Sequence, residues 1–576
     1  MARPNDEVES LLREYADLLA ITGGDAFKAR AYERAARAIA GCHDDVSTLG
    51  ARELKAIPGV GKSIADKIEE YFRDGRVAAF EEVRARIPAG VRQLIEIPTL
   101  GPKKAALLHD QLGISSVDEL ADAIKAERLR GLKGFGPKTE ENILHGIDLM
   151  RQTGGRVLLD VAMNLAEEIV ATLSAVTGCL RCTYAGSLRR YRETIGDVDI
   201  LAAATDSAPI MAAFRNLDLV DEVIASGEKK TSIRTTKGLQ VDLRVVPLEA
   251  WGAALQYFTG SQAHNVRTRE IAVHAKLKLS EYGLFDVETG KLVVSETEEE
   301  VYRRLGLAWI PPTLREDRGE IDAAARDQLP GLVTERDLRG DLHTHTDLTD
   351  GVATLEDMLE TAAQRGYAYY AVTDHAPNLV MQRMSDEKML FQRARLRELD
   401  GKYGRMRLLH GTELNIDADG DVDWPPDFLE GFDVCVASVH SSFGQSRRDM
   451  TRRLVRACEN PHVNIIGHPT TRLIGRRDPV DADLAEVFRA CARTGTALEV
   501  NSLPDRLDLR DEHILWAKEF GVKFAINSDA HSTQNLHGIS YGVGTAQRGW
   551  LTPDDVINTW PLTRLRKFLL KASPTP

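Results

Sequence analysis

The 576-residue sequence predicts a multidomain protein of three unlike regions: all-α, then mixed α/β, then a barrel-like run of seven β–α units. Three observations predict it. Helical periodicity holds to about residue 150 and is interrupted by three copies of one glycine-containing turn. Strand alternation begins after Gly154-Gly155 and puts two acids on one strand face. Beyond residue 337, apolar runs ending in histidine or acid alternate with helical stretches. At roughly 150 residues per domain, about four domains fit this length.

Composition excludes several classes. No apolar run approaches the ~20 residues of a membrane span, and the charged, amphipathic N-terminus does not read as a signal peptide. Six cysteines in so long a chain suggest a reducing, cytoplasmic setting. Cys179-x-x-Cys182 has no second pair at zinc spacing and reads as ordinary buried thiols. A net charge of −13 argues against extended nonspecific DNA binding. It leaves metal-dependent chemistry untouched, because carboxylates clustered around cations also make a chain acidic.

The repeated turn runs Ile57-Pro58-Gly59-Val60-Gly61-Lys62, then Ile97-Pro98-Thr99-Leu100-Gly101-Pro102-Lys103, then Leu132-Lys133-Gly134-Phe135-Gly136-Pro137-Lys138. Each copy ends one helix and starts another. Its glycines let backbone N–H groups approach a ligand, and the following helix N-terminus favours a phosphate. The copies resemble helix-hairpin-helix motifs, which grip DNA backbones without reading sequence. That resemblance makes Gly59, Gly61, Gly101, Lys103, Gly134 and Gly136 candidate DNA contacts and needs few lysines.

In the mixed region, Arg181–Ala185 reads as a strand leading to Gly186-Ser187-Leu188-Arg189-Arg190, then Thr194-Ile195-Gly196-Asp197-Val198-Asp199. Asp197 and Asp199 share a face while Val198 and Ile200 face the core. Paired acids repel unless cations neutralise them. A third acid, Asp242, lies on the polar face of Leu239–Val245. Three such carboxylates suit two Mg²⁺ (or Mn²⁺). Ser187, Arg190 and the Gly196 backbone are placed for a triphosphate.

Tyr257-Phe258-Thr259-Gly260-Ser261, followed by Asn265 and Arg269, narrows the reading. Residues 1–316 closely resemble family X (DNA polymerase beta-like) DNA polymerases. The resemblance implies that Tyr257, Phe258 and Gly260 pack against the incoming sugar, Asn265 reaches a base edge and Arg269 the templating strand. It implies further that Lys28 and Tyr32 bind a 5′-phosphate and that Lys67 forms a Schiff base with deoxyribose phosphate. Two departures stand out: Ser63 replaces a second lysine, and Gln240 replaces an arginine beside Asp242.

In the last region the apolar runs end at His343 and His345 (with Asp350 following), His375, Glu413, His440, His468, and Asp529 and His531. In a β/α barrel the active site lies at the C-terminal strand ends. The pattern resembles the PHP (polymerase and histidinol phosphatase) domain with all nine ligand positions filled. Mixed imidazole and carboxylate ligation suits up to three Mn²⁺ or Zn²⁺ ions, which would activate water against a phosphorus ester.

The expected layout is therefore a helical DNA-binding domain at 1–90, a hairpin domain at 91–150, a nucleotidyltransferase palm with its nucleotide-selection part at 151–316, a charged linker at 317–336 and the PHP domain at 337–576. The expected activity is short-gap filling on gapped or nicked duplex DNA with deoxynucleoside triphosphates, joined to 3′→5′ phosphoesterase trimming at a bacterial nucleoid. The alternatives are a DNA-end-binding scaffold with a weak polymerase, or a template-independent nucleotidyltransferase fused to a small-molecule phosphatase.

Overall fold

The computed structural model describes residues 4–571 except 23–25, 41–44, 58, 86, 88–90, 92–93, 96, 98–99, 133, 142, 145–146, 148–154 and 380–383. The N-terminal region is helical, and among its described residues up to Glu141 there is no strand. Two apolar cores form in it. Leu12, Tyr15, Tyr32, Ile64 and Phe80 belong to one; Leu94, Leu108, Leu120 and Phe135 belong to the other.

The palm is a five-stranded sheet in the order Cys179–Tyr184, Asp197–Ala204, Gln240–Val246, Lys230–Thr235, Val220–Ser226. The second and third strands of that order run parallel; the other pairings are antiparallel. A parallel central pair delivers both strand starts to the same edge, so Asp197, Asp199 and Asp242 arrive together. Val198, Ile200, Val241 and Leu243 face a core closed by the helices Leu159–Ser174 and Ala208–Arg215. Cys182 sits against this core, and burial pushes its thiol up to about 12. Such a thiol supplies little thiolate for metal or redox chemistry.

The charged stretch 317–336, which reads as a linker, is instead built into the fold. Its helix Glu320–Ala325 buries Glu320 completely. That carboxylate lies 2.7 Å from His264 Nδ1 and accepts the N–H groups of Asp317 and Arg318. Ile321 and Ala324 pack with Tyr302, and Val333 joins the barrel core. Composition suggests solvation for such charges; their tertiary partners permit burial.

The C-terminal region has seven parallel strands in sequential order: Gly340–Asp341, Tyr369–Val372, Arg407–Asn415, Val434–Ser438, Ile465–Ile466, Ala497–Asn501 and Phe524–Asn527. The Thr344–Ala530 bridge joins the two ends, and Ser528 N–H donates to the Asp341 carboxylate. Helices such as Leu355–Gln364, Arg447–Glu459 and Leu484–Thr494 intervene, giving a near-closed (β/α)₇ barrel. No helix among the described residues is long and apolar enough to cross a membrane.

Candidate active sites

In the palm, Asp199 pairs with Asp242 across the parallel strands, and Asp197 with Gln240. Gly186 lies over this pair with φ 61°, and a Cβ there would come within 2.2 Å of Asp199 Oδ2. Only glycine lets the loop approach so closely. Burial, followed by the charges of Asp197 and Asp242, pushes Asp199 up to about 7. Burial also opposes the charge on Asp242, but Lys230 Nζ at 2.6 Å, Ser232 and Gln240 hold its pKa below the usual carboxylate range. Gln240 Nε2 donates to Asp242 Oδ1 at 3.1 Å. A neutral amide thus orients the carboxylate. Lys230 and Arg244 only partly offset three carboxylates, leaving an oxygen-lined, negative edge that fits hard divalent cations.

Of the residues expected around the nucleotide, Arg190 and Asn265 are held by partners within the protein. Arg190 is tied to Thr259 O at 2.5 Å and to Glu316 Oε1 at 3.1 Å. Gly260 (φ 69°) leaves room for it, since a Cβ would lie 3.1 Å from Arg190 Nη1. Arg190 therefore locks the loop that carries Ser187 to the Tyr257–Gly260 segment. Gly196 makes room for Arg156 in the same way, at 2.9 Å. Tyr257 and Phe258 meet edge to face with centroids 5.1 Å apart, under Arg269 and Arg244 respectively. Tyr257 and Arg269 also line a cleft of about 800 Å³ with Lys276 and Lys278. Asn265, expected at a base edge, is turned inward. It is 6% exposed, accepts from Gln256 at 2.9 Å and donates to Tyr257 O at 2.7 Å. It braces Tyr257 from behind because the helix Gln262–His274 packs its first turn on the preceding helix.

The three N-terminal turns share one backbone hydrogen bond: Val60 to Ile57 at 3.0 Å, Leu100 to Ile97 at 3.0 Å and Phe135 to Leu132 at 3.1 Å. Gly59 and Gly134 take φ of 83° and 92°. Gly61 and Gly101 cap the helices Lys62–Asp74 and Pro102–Leu112, and Gly136 accepts the first bonds of the third helix. Among the described residues, a Cβ at Gly61, Gly101, Gly134 or Gly136 would meet nothing within 4 Å. The Lys103 side chain lies outside the described residues. Lys67 Nζ donates to Ser63 Oγ at 3.0 Å, and burial followed by the charge of Lys28 lowers its pKa. Tyr32, expected on DNA, is 2% exposed, with its ring edge-on to the stacked pair Tyr15 and Phe80. The helix Ala26–Ala40 turns Ala29, Tyr32, Ala36 and Ile39 inward together, which makes Tyr32 a core residue.

In the barrel, the expected side chains converge at the C-terminal mouth, with Glu413 two residues short of its strand end. Glu413 stands at the centre: Oε1 is 3.1 Å from His440 Nε2 and 3.0 Å from His468 Nε2, and Oε2 is 2.9 Å from His375 Nδ1. Three groups have donor atoms within 4.8 Å of one another: His345, Asp350, His375 and His531; His343, His345 and Asp529; His375, Glu413 and His440. His343 Nε2, both ring nitrogens of His345 and His375 Nδ1 are buried and face carboxylates without a well-aligned hydrogen bond among the described residues. Imidazole nitrogens gathered around carboxylates in this way fit divalent metal ions.

Four orienting residues escaped the sequence reading. Glu499 is fully buried, 2.7 Å from His343 Nδ1, and accepts from His468 N–H at 2.7 Å. Asn415 Oδ1 holds His440 Nδ1 at 2.7 Å, and Asn501 donates to Asp529 Oδ2 at 2.9 Å. Asp374 anchors the Thr346–Thr349 loop behind Asp350. Glu499 and Asn501 share one strand face, and that alternation was the available signal. Burial opposes charge on His343, but Glu499, Asp529 and Glu413 outweigh it and hold its pKa well above the ordinary value.

Residues 254–316 match the family model of the DNA polymerase beta thumb, 3–77 the helix-hairpin-helix domain, 91–147 the SAM-like helix-hairpin-helix tandem and 341–503 the PHP domain. The chain is 36% identical over 566 residues to the DNA polymerase/3′-5′ exonuclease PolX of Bacillus subtilis, covering 98% of this chain and 99% of that protein. It is 25% identical over 321 residues to DNA polymerase lambda of Rattus norvegicus, covering 51% and 53% respectively. Over 241 residues it is 30% identical to a probable phosphatase of Thermoanaerobacter sp., covering 40% of this chain and 93% of that one. With hairpins, palm and barrel in this order, the chain belongs to the bacterial family X DNA polymerases that carry a C-terminal PHP domain.

Proposed function

We propose that the chain fills short gaps in duplex DNA at Asp197, Asp199 and Asp242 and trims 3′ ends at the barrel mouth, acting on the bacterial chromosome. One observation carries the reading: two unlike polar clusters stand in one chain, an all-oxygen edge under Gly186 and a histidine–carboxylate nest around Glu413. Asp197, Asp199 and Asp242 would hold Mg²⁺ or Mn²⁺, and the nine barrel residues Mn²⁺ or Zn²⁺. Such ions supply Lewis acidity and charge neutralisation for nucleotidyl transfer and for phosphoester hydrolysis.

The chain's own residues do the positioning. Gln240 and Lys230 fix Asp242. Ser187 and the Gly196 backbone flank the aspartates and would take the triphosphate, while Tyr257 and Phe258 face the sugar. The hairpin turns would hold DNA backbone phosphates. In the barrel, Glu499 and Asn415 engage one ring nitrogen of His343 and His440, leaving the other directed at Glu413. The Lys67–Lys28 pair favours a neutral amine, which supports a lyase role for Lys67.

The similarity to probable phosphatases favours a second barrel substrate, a 3′-phosphomonoester. Primer extension and digestion on a one-nucleotide-gapped duplex, with 3′-hydroxyl and 3′-phosphate ends and in Mg²⁺ or Mn²⁺, tests the whole reading. Templated incorporation supports it, and none in either metal sinks it.

A further inference from the structure

The palm loop between Tyr184 and Asp197, which carries Ser187, Arg190 and Gly196, is held in place by the barrel. Arg548 ends the barrel helix Ile539–Arg548 and is 4% exposed. Its Nη1 donates to the main-chain oxygen of Arg190 at 2.8 Å and to Glu316 Oε1 at 2.8 Å. That same oxygen accepts from Nε of Arg190 at 3.1 Å. Arg548 Nη2 donates to Asp511 Oδ2 at 2.7 Å, which Arg318 also reaches at 3.0 Å. The next residue, Tyr191 (φ 54°), lays its ring on Gly544, where a Cβ would fall 2.0 Å from Tyr191 Cδ1. Glu193 then pairs with Arg472 at 2.8 Å. Arg472 in turn binds the main-chain oxygens of Arg506 and Leu507 at 2.8 and 2.5 Å. Leu507, a barrel residue, is fully buried in the palm's apolar core.

Tyr191 is not a glycine, and it keeps its left-handed conformation only where its surroundings impose it. Here the imposing groups belong to the other domain. Buried ion pairs of this kind serve to select one arrangement more than to add stability.

We propose that Arg548 and Gly544 are positioning residues for nucleotidyl transfer: the barrel supplies a buried arginine clamp and a glycine seat that set the palm's triphosphate-binding loop. The proposal rests on the polymerase reading above. It makes the PHP barrel a structural part of the polymerase site as well as a trimming domain.

The test uses the full-length chain, with gap filling measured at varied deoxynucleotide concentration and digestion of a 3′-tailed duplex measured beside it. Gly544→Ala drives a methyl into Tyr191 without removing a charge; Arg548→Met removes the fork, and Arg548→Lys keeps its charge. Gly544→Ala and Arg548→Met are expected to raise the deoxynucleotide KM about tenfold, less than the ~10²-fold that a 1 Å misplacement can cost. Digestion should stay within about twofold, and Arg548→Lys should recover part of the KM. Unchanged KM in folded variants overturns the proposal. Equal losses in both activities with early melting also overturn it, because they mark a role in folding alone. If the Arg548 variants fail to fold, Glu193→Gln carries the same expectation with a smaller shift. A wild-type chain that extends no primer overturns both this proposal and the polymerase reading; a wild-type chain that extends while Gly544→Ala matches it overturns the clamp alone.

Discussion

The palm and the barrel each gather three carboxylates, but they balance the charge differently. In the palm, Asp197 is exposed, Asp199 is pushed up to about 7, and Lys230 pairs with Asp242 at 2.6 Å. In the barrel, Asp350, Glu413 and Asp529 are surrounded by six histidines, and His343 and His345 are wholly buried. Glu499, Asn415 and Asn501 form an orienting layer behind them. The palm edge is an open cradle that metal and triphosphate would complete together, whereas the barrel nest is prearranged. Loss of a metal-facing acid should therefore be catastrophic in the palm, while the barrel should also be sensitive to residues that touch no substrate.

The largest expected effect is in the palm. Asp197→Ala with Asp199→Ala should cut gap filling by ~10³-fold or more, about 4 kcal/mol of transition-state stabilisation, with digestion unchanged in the same preparation. Next comes the stability of the thumb segment beside the palm. Burial works against the charge of Glu298, yet Arg315 and Arg189 hold its pKa down to about 2 from an ordinary 4.5. A depressed carboxylate stabilises the fold above its unfolded pKa, and that contribution is lost as pH falls from 4.5 towards 2. It is on the order of 3 kcal/mol. Glu298→Gln should lower the melting temperature at neutral pH, and the gap to wild type should close as pH falls through that window. A gap independent of pH would contradict the assignment.

Glu499→Gln should reduce digestion or metal affinity ~10- to 100-fold, the usual cost of losing an orienting acid, with gap filling untouched. Metal titration followed by digestion rates measures it, and an undiminished variant would remove Glu499 from the site. The smallest effect belongs to Gln240. Gln240→Ala should slow incorporation about fivefold, the worth of one hydrogen bond of ~1 kcal/mol, and a change below twofold would show that Lys230 alone orients Asp242.

The contrast also marks what could be read from sequence. Strand alternation put Asp197, Asp199 and Asp242 on one face, and strand-end logic brought the barrel histidines to one mouth, because both depend on local geometry. Glu499 was passed over since its partner His343 lies 156 residues away. Arg190 and Asn265 were assigned to substrate, but their present partners depend on helix packing and on Glu316, 126 residues beyond Arg190. Tyr32 was placed on DNA by motif, while the inward stripe of its own helix buries it. The charged stretch 317–336 looked like a linker because burial of Glu320 depends on His264. In each case a residue's type was legible locally and its partner was not.

The central claim is that one chain carries two phosphoryl-transfer sites with separate catalytic residues. One measurement addresses it most directly: extension and 3′ digestion of a one-nucleotide-gapped duplex by wild type, by the Asp197→Ala/Asp199→Ala variant and by the His343→Ala/His345→Ala variant. The predicted result is that the first variant digests without extending and the second extends without digesting. Loss of both activities in either folded variant, or digestion that survives the histidine changes, would contradict it.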